Sequence, residues 1–117
     1  MNKRELGSRY EENAARFLTE QGYKILEKNF RCKIGEIDLI GKEDGYLCFI
    51  EVKYRSNGEY GLPAEAVDER KRKKIFLTAL SYMNYRRLLP DTPCRFDIVV
   101  ILDDRYSLIK NAFDGCW

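Results

Sequence analysis

Histidine is missing from the 117-residue chain. Its absence excludes a histidine general base, a Ser-His-Asp triad and a Cys-His pair as the basis of catalysis. It also excludes every metal centre that depends on imidazole ligands. Any bound metal must be held by oxygen atoms, and oxygen ligands favour Mg²⁺ or Mn²⁺.

Cysteine is scarce and shows no paired pattern. No CxxC spacing occurs among the four cysteines, which are Cys32, Cys48, Cys94 and Cys116. A zinc site and a disulfide framework are therefore not expected. Cys48 shares its strand phase with Ile50 and Val52, so we expect it in the core.

Long apolar runs are also missing, and the first residues do not resemble the apolar segment of a signal peptide. We therefore expect a cytoplasmic protein with no membrane contact. A length of 117 residues, with 44% hydrophobic and 34% charged residues, fits one globular domain over 1–117. The net charge of +2 is too small to indicate a polyanionic partner by itself.

The most informative stretch is a hairpin pattern over 35–55, in which acidic residues interrupt two β-prone apolar runs. A four-residue loop over 43–46 places Asp38 directly opposite Glu51, with their Cβ atoms roughly 5 Å apart. A three-residue loop would turn Asp38 to the other face of the sheet. The pattern therefore predicts the longer loop, or a bulge, and two neighbouring carboxylates. An ion-paired cluster on a solvated sheet face is the alternative.

Two adjacent carboxylates repel, and a divalent cation removes that conflict. Mg²⁺ is usually held by one or two carboxylates with waters and substrate phosphate, so Asp38 and Glu51 are predicted metal ligands. Lys53 follows on the same strand face. Because two carboxylates should raise the pKa of Lys53, we expect a cation that positions the attacking water and stabilises transition-state charge. Glu36 shares the face of Asp38 and is a weaker candidate for a metal ligand or for a residue that supports one.

Seven elements are predicted, in the order α-β-β-β-α-β-β. Their bounds are a helix over 9–21, a strand over 23–30, the hairpin over 35–55, a helix over 69–87 and strands over 95–102 and 106–113. The strand over 95–102 is almost continuously apolar, so it should be buried on both faces, parallel to the Glu51 strand and beside it. The fold class is α/β, with a mixed sheet flanked by helices.

Three further features flank the hairpin. Glu11 lies at the edge of the first helix's apolar stripe and can face the sheet, although a first-turn acid that favours the helix dipole is an alternative. After Arg55, the glycines Gly58 and Gly61 suit a mobile flap or an ordinary crossover, and Pro63 suits the start of a helical turn. Asp97 interrupts its apolar strand, and an ion pair with Arg95 or Arg55 is favoured over a further rim carboxylate.

The second helix is strongly basic. Seven Lys and Arg residues over 69–87 oppose a single acid, Glu69. Because a crossover leads from the Glu51 strand into this helix, the helix should begin near the end of that strand. Four basic side chains are the expected contacts to a nucleic-acid backbone: Arg55, Arg70, Lys71 and Lys74. A solvated basic face is the alternative.

Asp38 followed by Glu51-Val52-Lys53 resembles the PD-(D/E)xK nuclease motif, although Ile37 stands where that motif has proline. The wider pattern resembles the YraN-like family, predicted endonucleases that are distantly similar to archaeal Holliday-junction resolvases. The residues that carry this resemblance span nearly the whole chain, and they are Gly7-x-x-x-Glu11-x-x-Ala14, Gly35 to Ile40, Phe49 to Arg55, Gly61-x-Pro63, Cys94 to Val99 and Ile109 to Phe113.

The resemblance implies a restriction-endonuclease-like core and a Mg²⁺- or Mn²⁺-dependent endodeoxyribonuclease that prefers branched or junction DNA. It implies Asp38, Glu51 and Lys53 as catalytic residues, Glu11 as a third acidic metal ligand, DNA as the partner and a homodimer as the assembly. Two alternatives remain open. One is a nuclease-fold module that binds nucleic acid without cutting it, and the other is a scaffold protein whose basic helix meets an acidic partner.

Overall fold

A computed structural model describes residues 2–55 and 68–114 of the chain. The predicted flap around Gly58 and Gly61, the helical turn after Pro63 and Cys116 lie outside these residues. The described chain forms two helices and five strands, which are α1 (Lys3–Glu20), β1 (Lys24–Arg31), β2 (Glu36–Glu43), β3 (Tyr46–Arg55), α2 (Glu69–Tyr85), β4 (Cys94–Leu102) and β5 (Arg105–Phe113).

The strands form one sheet in the order β1-β2-β3-β4-β5. Strands β3 and β4 run parallel, and the other neighbouring pairs are antiparallel. A parallel pair needs a crossover connection, and here that connection contains α2. The predicted α/β architecture, α-β-β-β-α-β-β with a mixed sheet, is confirmed. So is the position of β4 as the buried parallel neighbour of β3.

The two helices cover opposite faces of the sheet. The apolar stripe of α1, which includes Ala14 and Leu18, forms one core with the face below it. The stripe of α2, which includes Ile75 and Ala79, forms a second core on the other face. Since β3 lies between both cores, its side chains can be reached from either helix. Neither described helix is long and apolar enough to cross a membrane.

The first helix is longer than predicted. It begins at Lys3 rather than residue 9, because Asn2 caps it: the Asn2 side chain accepts a hydrogen bond from the Glu5 backbone N–H at 2.8 Å. The residues between the two candidate caps are compatible with a helix, so the earlier cap is used and Ser8 lies inside the helix. The predicted end is confirmed, since Gly22 follows the last turn with a φ of 98°.

The hairpin between β2 and β3 has the predicted register, with Lys42 opposite Leu47. The predicted four-residue loop is wrong in length, because residues 43 and 46 at its two ends also pair. The turn is Asp44-Gly45, whose φ angles are 52° and 80°. Tight hairpin turns of two residues require this left-handed pair, and Asp-Gly adopts it readily. The shorter turn keeps the register, but the ladder ends at Leu39 and Ile50, so the predicted backbone pair of Asp38 with Glu51 is not part of it.

Candidate active site

The candidate site lies where β2 and β3 separate. The last backbone pair of their ladder joins Leu39 and Ile50. Beyond it, Oδ2 of Asp38 accepts a hydrogen bond from the Val52 N–H at 2.8 Å, in place of a backbone carbonyl. The strand alternation is also interrupted, because Ile37 and Leu39 pack in different cores. The Asp38 carboxylate therefore stands in a gap between the two strands.

Glu51 is buried beside that gap, with 4% of its surface exposed. Its Oε2 lies 3.5 Å from Nζ of Lys71, and its Oε1 has no hydrogen-bond partner within the described ranges. Burial, and then the charge of Asp38, raises the pKa of Glu51 to about 8. Burial also raises the pKa of Asp38, against the opposing effect of the hydrogen bond from Val52. The charge of Asp38 thus disfavours ionisation of Glu51, and the charge of Glu36 disfavours ionisation of Asp38.

Glu11 of α1 approaches the same gap. Its Oε1 is buried and lacks a hydrogen-bond partner in the part of the chain that the structure describes. Burial, and then the charges of Asp38 and Glu36, raises the pKa of Glu11 to about 7. Glu36 itself is exposed and pairs with Arg31, whose Nε lies 3.0 Å from its carboxylate. The structure therefore places Glu11 near Asp38 and Glu36, with Glu36 at the exposed rim.

The donor set of this gap suits a divalent cation. The buried oxygens of Glu51 and Glu11 that have no partner among residues 2–55 and 68–114 are positions where a cation would satisfy the charge. Within 2–55 and 68–114, no group of three or more His, Cys, Asp or Glu side chains is already arranged to hold a metal. Two carboxylates with waters are a usual ligand set for Mg²⁺, so Asp38 and Glu51 suffice. Glu11 as a third ligand stays a prediction.

Two lysines stand beside the acids. Burial and contact with Lys71 lower the pKa of Lys53 to about 8. The predicted increase is wrong, because a second ammonium group from α2 lies next to Lys53 and, with desolvation, outweighs the attraction of the carboxylates. For Lys71, burial lowers the pKa, but its hydrogen bond with Lys53 and the charges of Glu51 and Asp38 prevail and raise it.

The contact between Lys71 and Glu51 is the feature that sequence reasoning missed, since Lys71 is predicted only to contact the phosphate of a nucleic acid. A signal for it exists in the sequence. Asp68 caps α2, with its carboxylate accepting a hydrogen bond from the Lys71 N–H at 2.8 Å. This cap fixes Lys71 in the first turn of α2, so its side chain starts close to the sheet.

The other predicted phosphate contacts are Arg55, Arg70 and Lys74. Arg70 and Lys74 are exposed on α2. Arg55 lies at the end of β3, where its Nη1 donates to the Tyr54 carbonyl at 3.1 Å. By strand alternation Arg55 is on the face of Glu51. Contact of these three side chains with phosphate stays a prediction.

Asp97 belongs to the fold and not to the gap. It is fully buried and accepts hydrogen bonds from Arg95 Nε at 2.9 Å, the Tyr23 hydroxyl at 2.7 Å and the Asn111 N–H at 2.9 Å. A buried carboxylate with this many donors is satisfied without a metal. The predicted structural ion pair with Arg95 is confirmed.

Comparison with known proteins places the chain in a family. The model of the family described as "Uncharacterised protein family UPF0102" matches residues 10–101. The chain belongs to the UPF0102 family. This confirms the predicted YraN-like family membership. The matched range contains all four central residues of the gap, which are Asp38, Glu51, Lys53 and Lys71.

Relatives in the UPF0102 family match almost from end to end. A UPF0102 protein of Lachnoclostridium phytofermentans is 53% identical over 98% of this chain and 98% of its own length. One of Clostridioides difficile is 48% identical over 97% of this chain and its full length. One of Hahella chejuensis is 40% identical over 97% of this chain and 92% of its own length.

Proposed function

We propose that this UPF0102 protein is a cytoplasmic, metal-dependent endonuclease that hydrolyses phosphodiester bonds of nucleic acid, with DNA as its main substrate. The observation that carries the proposal is the pair of the buried Glu51 and the partly buried Asp38, both with raised pKa values, beside Lys53, whose pKa is lowered. Such mutually perturbed groups are typical of catalytic sites. The resemblance of the same three residues to the PD-(D/E)xK motif supports the proposal.

Asp38 and Glu51 would hold a Mg²⁺ or Mn²⁺ ion through carboxylate oxygens. When bound, the ion supplies an activated water and neutralises charge on the phosphate. Both acids are held in place by the sheet, because Asp38 is hydrogen bonded to the Val52 N–H at 2.8 Å and Glu51 is buried in β3. Fixed ligands spare the protein a rearrangement during the reaction.

Lys53 acts on the reacting phosphate. With a pKa of about 8, it is mostly protonated at neutral pH and loses its proton at small cost. As an ammonium it donates hydrogen bonds to the attacking water and to a phosphate oxygen. There it stabilises the negative charge that grows in the transition state.

The basic residues around the gap bind the phosphate backbone. Arg70 and Lys74 approach from α2, and Arg55 from the end of β3. Such contacts position a nucleic acid without reading its bases. The preference for branched DNA and the homodimer are supported by the family resemblance alone.

The test is cleavage of labelled duplex, flap, four-way-junction and single-stranded DNA with Mg²⁺, Mn²⁺ or EDTA. We expect metal-dependent cutting that Asp38→Asn and Glu51→Gln reduce at least 100-fold, because each removes a charged ligand. Asp44→Asn is the matched control, since Asp44 is an exposed acid in the turn of the same hairpin. Wild-type activity that survives in either site variant would refute the assignment.

A second candidate is a nuclease-fold module that grips nucleic acid without cutting it. The contact between Lys71 and Glu51, at 3.5 Å, favours this alternative because Lys71 occupies a proposed metal ligand from within the chain. On this account no substrate is cut, and wild type, Asp38→Asn and Glu51→Gln bind DNA equally. Salt-sensitive binding would then be the whole activity.

A further inference from the structure

Lys71 extends from α2 to the acid pair of Asp38 and Glu51. Its Nζ lies 3.5 Å from Oε2 of Glu51, and the exposed fractions of the two side chains are 39% and 6%. The backbone of Lys71 is fixed, because its N–H donates to the capping carboxylate of Asp68 at 2.8 Å. The backbone of Lys71 is therefore anchored, while its long side chain is partly exposed.

The contact at the acid is loose. A charge-assisted hydrogen bond between an ammonium and a carboxylate spans about 2.7–2.9 Å, and the separation here is 3.5 Å. The other carboxylate oxygen of Glu51, Oε1, has no partner among the described residues. Lys71 thus lies against the carboxyl group of Glu51 without satisfying its hydrogen bonds, and the same group is the proposed ligand of a divalent cation.

Two cations cannot both occupy the space at one carboxylate without repelling each other. Resting on the proposed function, we propose that Lys71 is the resident cation of the metal-free site, which leaves Glu51 when a divalent cation binds and then contacts the phosphate of the substrate. The exposed Arg70 and Lys74, on the same stretch of α2, lie where they can hold the neighbouring phosphates. Metal binding and phosphate binding are coupled through this one side chain.

The first test measures Mn²⁺ affinity by calorimetry, without nucleic acid. Lys71→Met removes the competing charge, so we expect it to bind Mn²⁺ about tenfold more tightly than wild type. Lys73→Met is the matched control, because Lys73 is exposed on the same turn of α2 and loses the same charge. Equal Mn²⁺ affinity in the three proteins would overturn the inference, and so would an absence of Mn²⁺ binding in all of them.

The second test uses the wild-type protein and does not depend on a variant folding. Acetylation of Lys71 by acetic anhydride is followed by mass spectrometry with and without Mn²⁺, with Lys73 as the internal reference. We expect Mn²⁺ to raise the labelling of Lys71 relative to Lys73 by about threefold, because the ammonium is released to solvent. An unchanged or smaller ratio contradicts the release.

The two proposals fail separately. Tighter Mn²⁺ binding by Lys71→Met, without cleavage of any DNA, would leave the resident-cation role standing and refute the nuclease. Metal-dependent cleavage with equal Mn²⁺ affinity in wild type and Lys71→Met would support the nuclease and refute the resident-cation role.

Discussion

Glu51 is the residue whose ionisation should govern the pH dependence of stability. Its pKa rises from an ordinary value of 4.5 to about 8 in the fold. Between these values the native protein holds a proton that the unfolded chain has released, so stability falls as the pH rises. We expect the stability of metal-free Glu51→Gln relative to wild type to increase by about 3 kcal/mol between pH 5 and pH 8. Thermal unfolding across this range measures the difference.

Glu12→Gln is the control for this prediction, since Glu12 is an exposed acid on α1. It should leave the pH dependence of unfolding unchanged. Added Mn²⁺ should raise the unfolding temperature of wild type more at pH 8 than at pH 6, because the metal and the proton compete for the same carboxylates. A wild-type stability that rises between pH 5 and 8 would contradict the raised pKa.

The helix α2 is the element expected to bind the phosphate backbone. Arg70→Gln and Lys74→Gln each remove one exposed charge from it. We expect each to weaken binding of unrelated duplexes to the same extent and to lower the slope of log affinity against log salt by about one. Fluorescence anisotropy with labelled duplexes at several salt concentrations measures both effects.

Lys24→Gln is the matched control for these substitutions. Lys24 is exposed at the start of β1 and pairs with Lys42 near the hairpin turn, at the other end of the sheet from the acids. Its loss should leave the salt slope unchanged. Equal effects of Lys24→Gln and Arg70→Gln would show that net charge, and not α2, governs binding.

At the scale of the whole molecule, the buried ion pair of Asp97 and Arg95 joins β4 to neighbouring elements through Tyr23, Glu43 and Asn111. Removing one partner leaves the other charge buried and unpaired. We therefore expect Asp97→Ala to lower the free energy of unfolding by about 3 kcal/mol, measured by urea denaturation at constant pH. Any loss of the proposed nuclease activity should then follow the loss of folded protein.

Glu36→Ala is the comparison for the fold-level prediction. Glu36 forms an ion pair with Arg31, but both side chains are more than half exposed. Removing it should change the free energy of unfolding by less than about 0.5 kcal/mol. An equal cost for the two substitutions would mean that burial of Asp97 does not set its contribution.

Regular patterns made most elements predictable. The basic helix α2 and the apolar strand β4 were predicted within a few residues, because each has a long and uniform pattern. The start of α1 was not, since Asn2 and Ser8 both offer a cap and only the complete helix shows which one is used. The predicted hairpin loop was two residues too long, because residues 43 and 46 pair with each other, although the predicted register was right.

Local chemistry was sufficient to bring Asp38 and Glu51 together, because strand alternation and turn geometry allow only a few registers. Only the tertiary structure decided what surrounds this pair. Packing of α1 and α2 on the sheet delivers Glu11 and Lys71, which are far from the pair in sequence. Burial and the second ammonium then reverse the expected pKa shift of Lys53. Desolvation and charge pairing depend on distances through space, which neither composition nor periodicity contains.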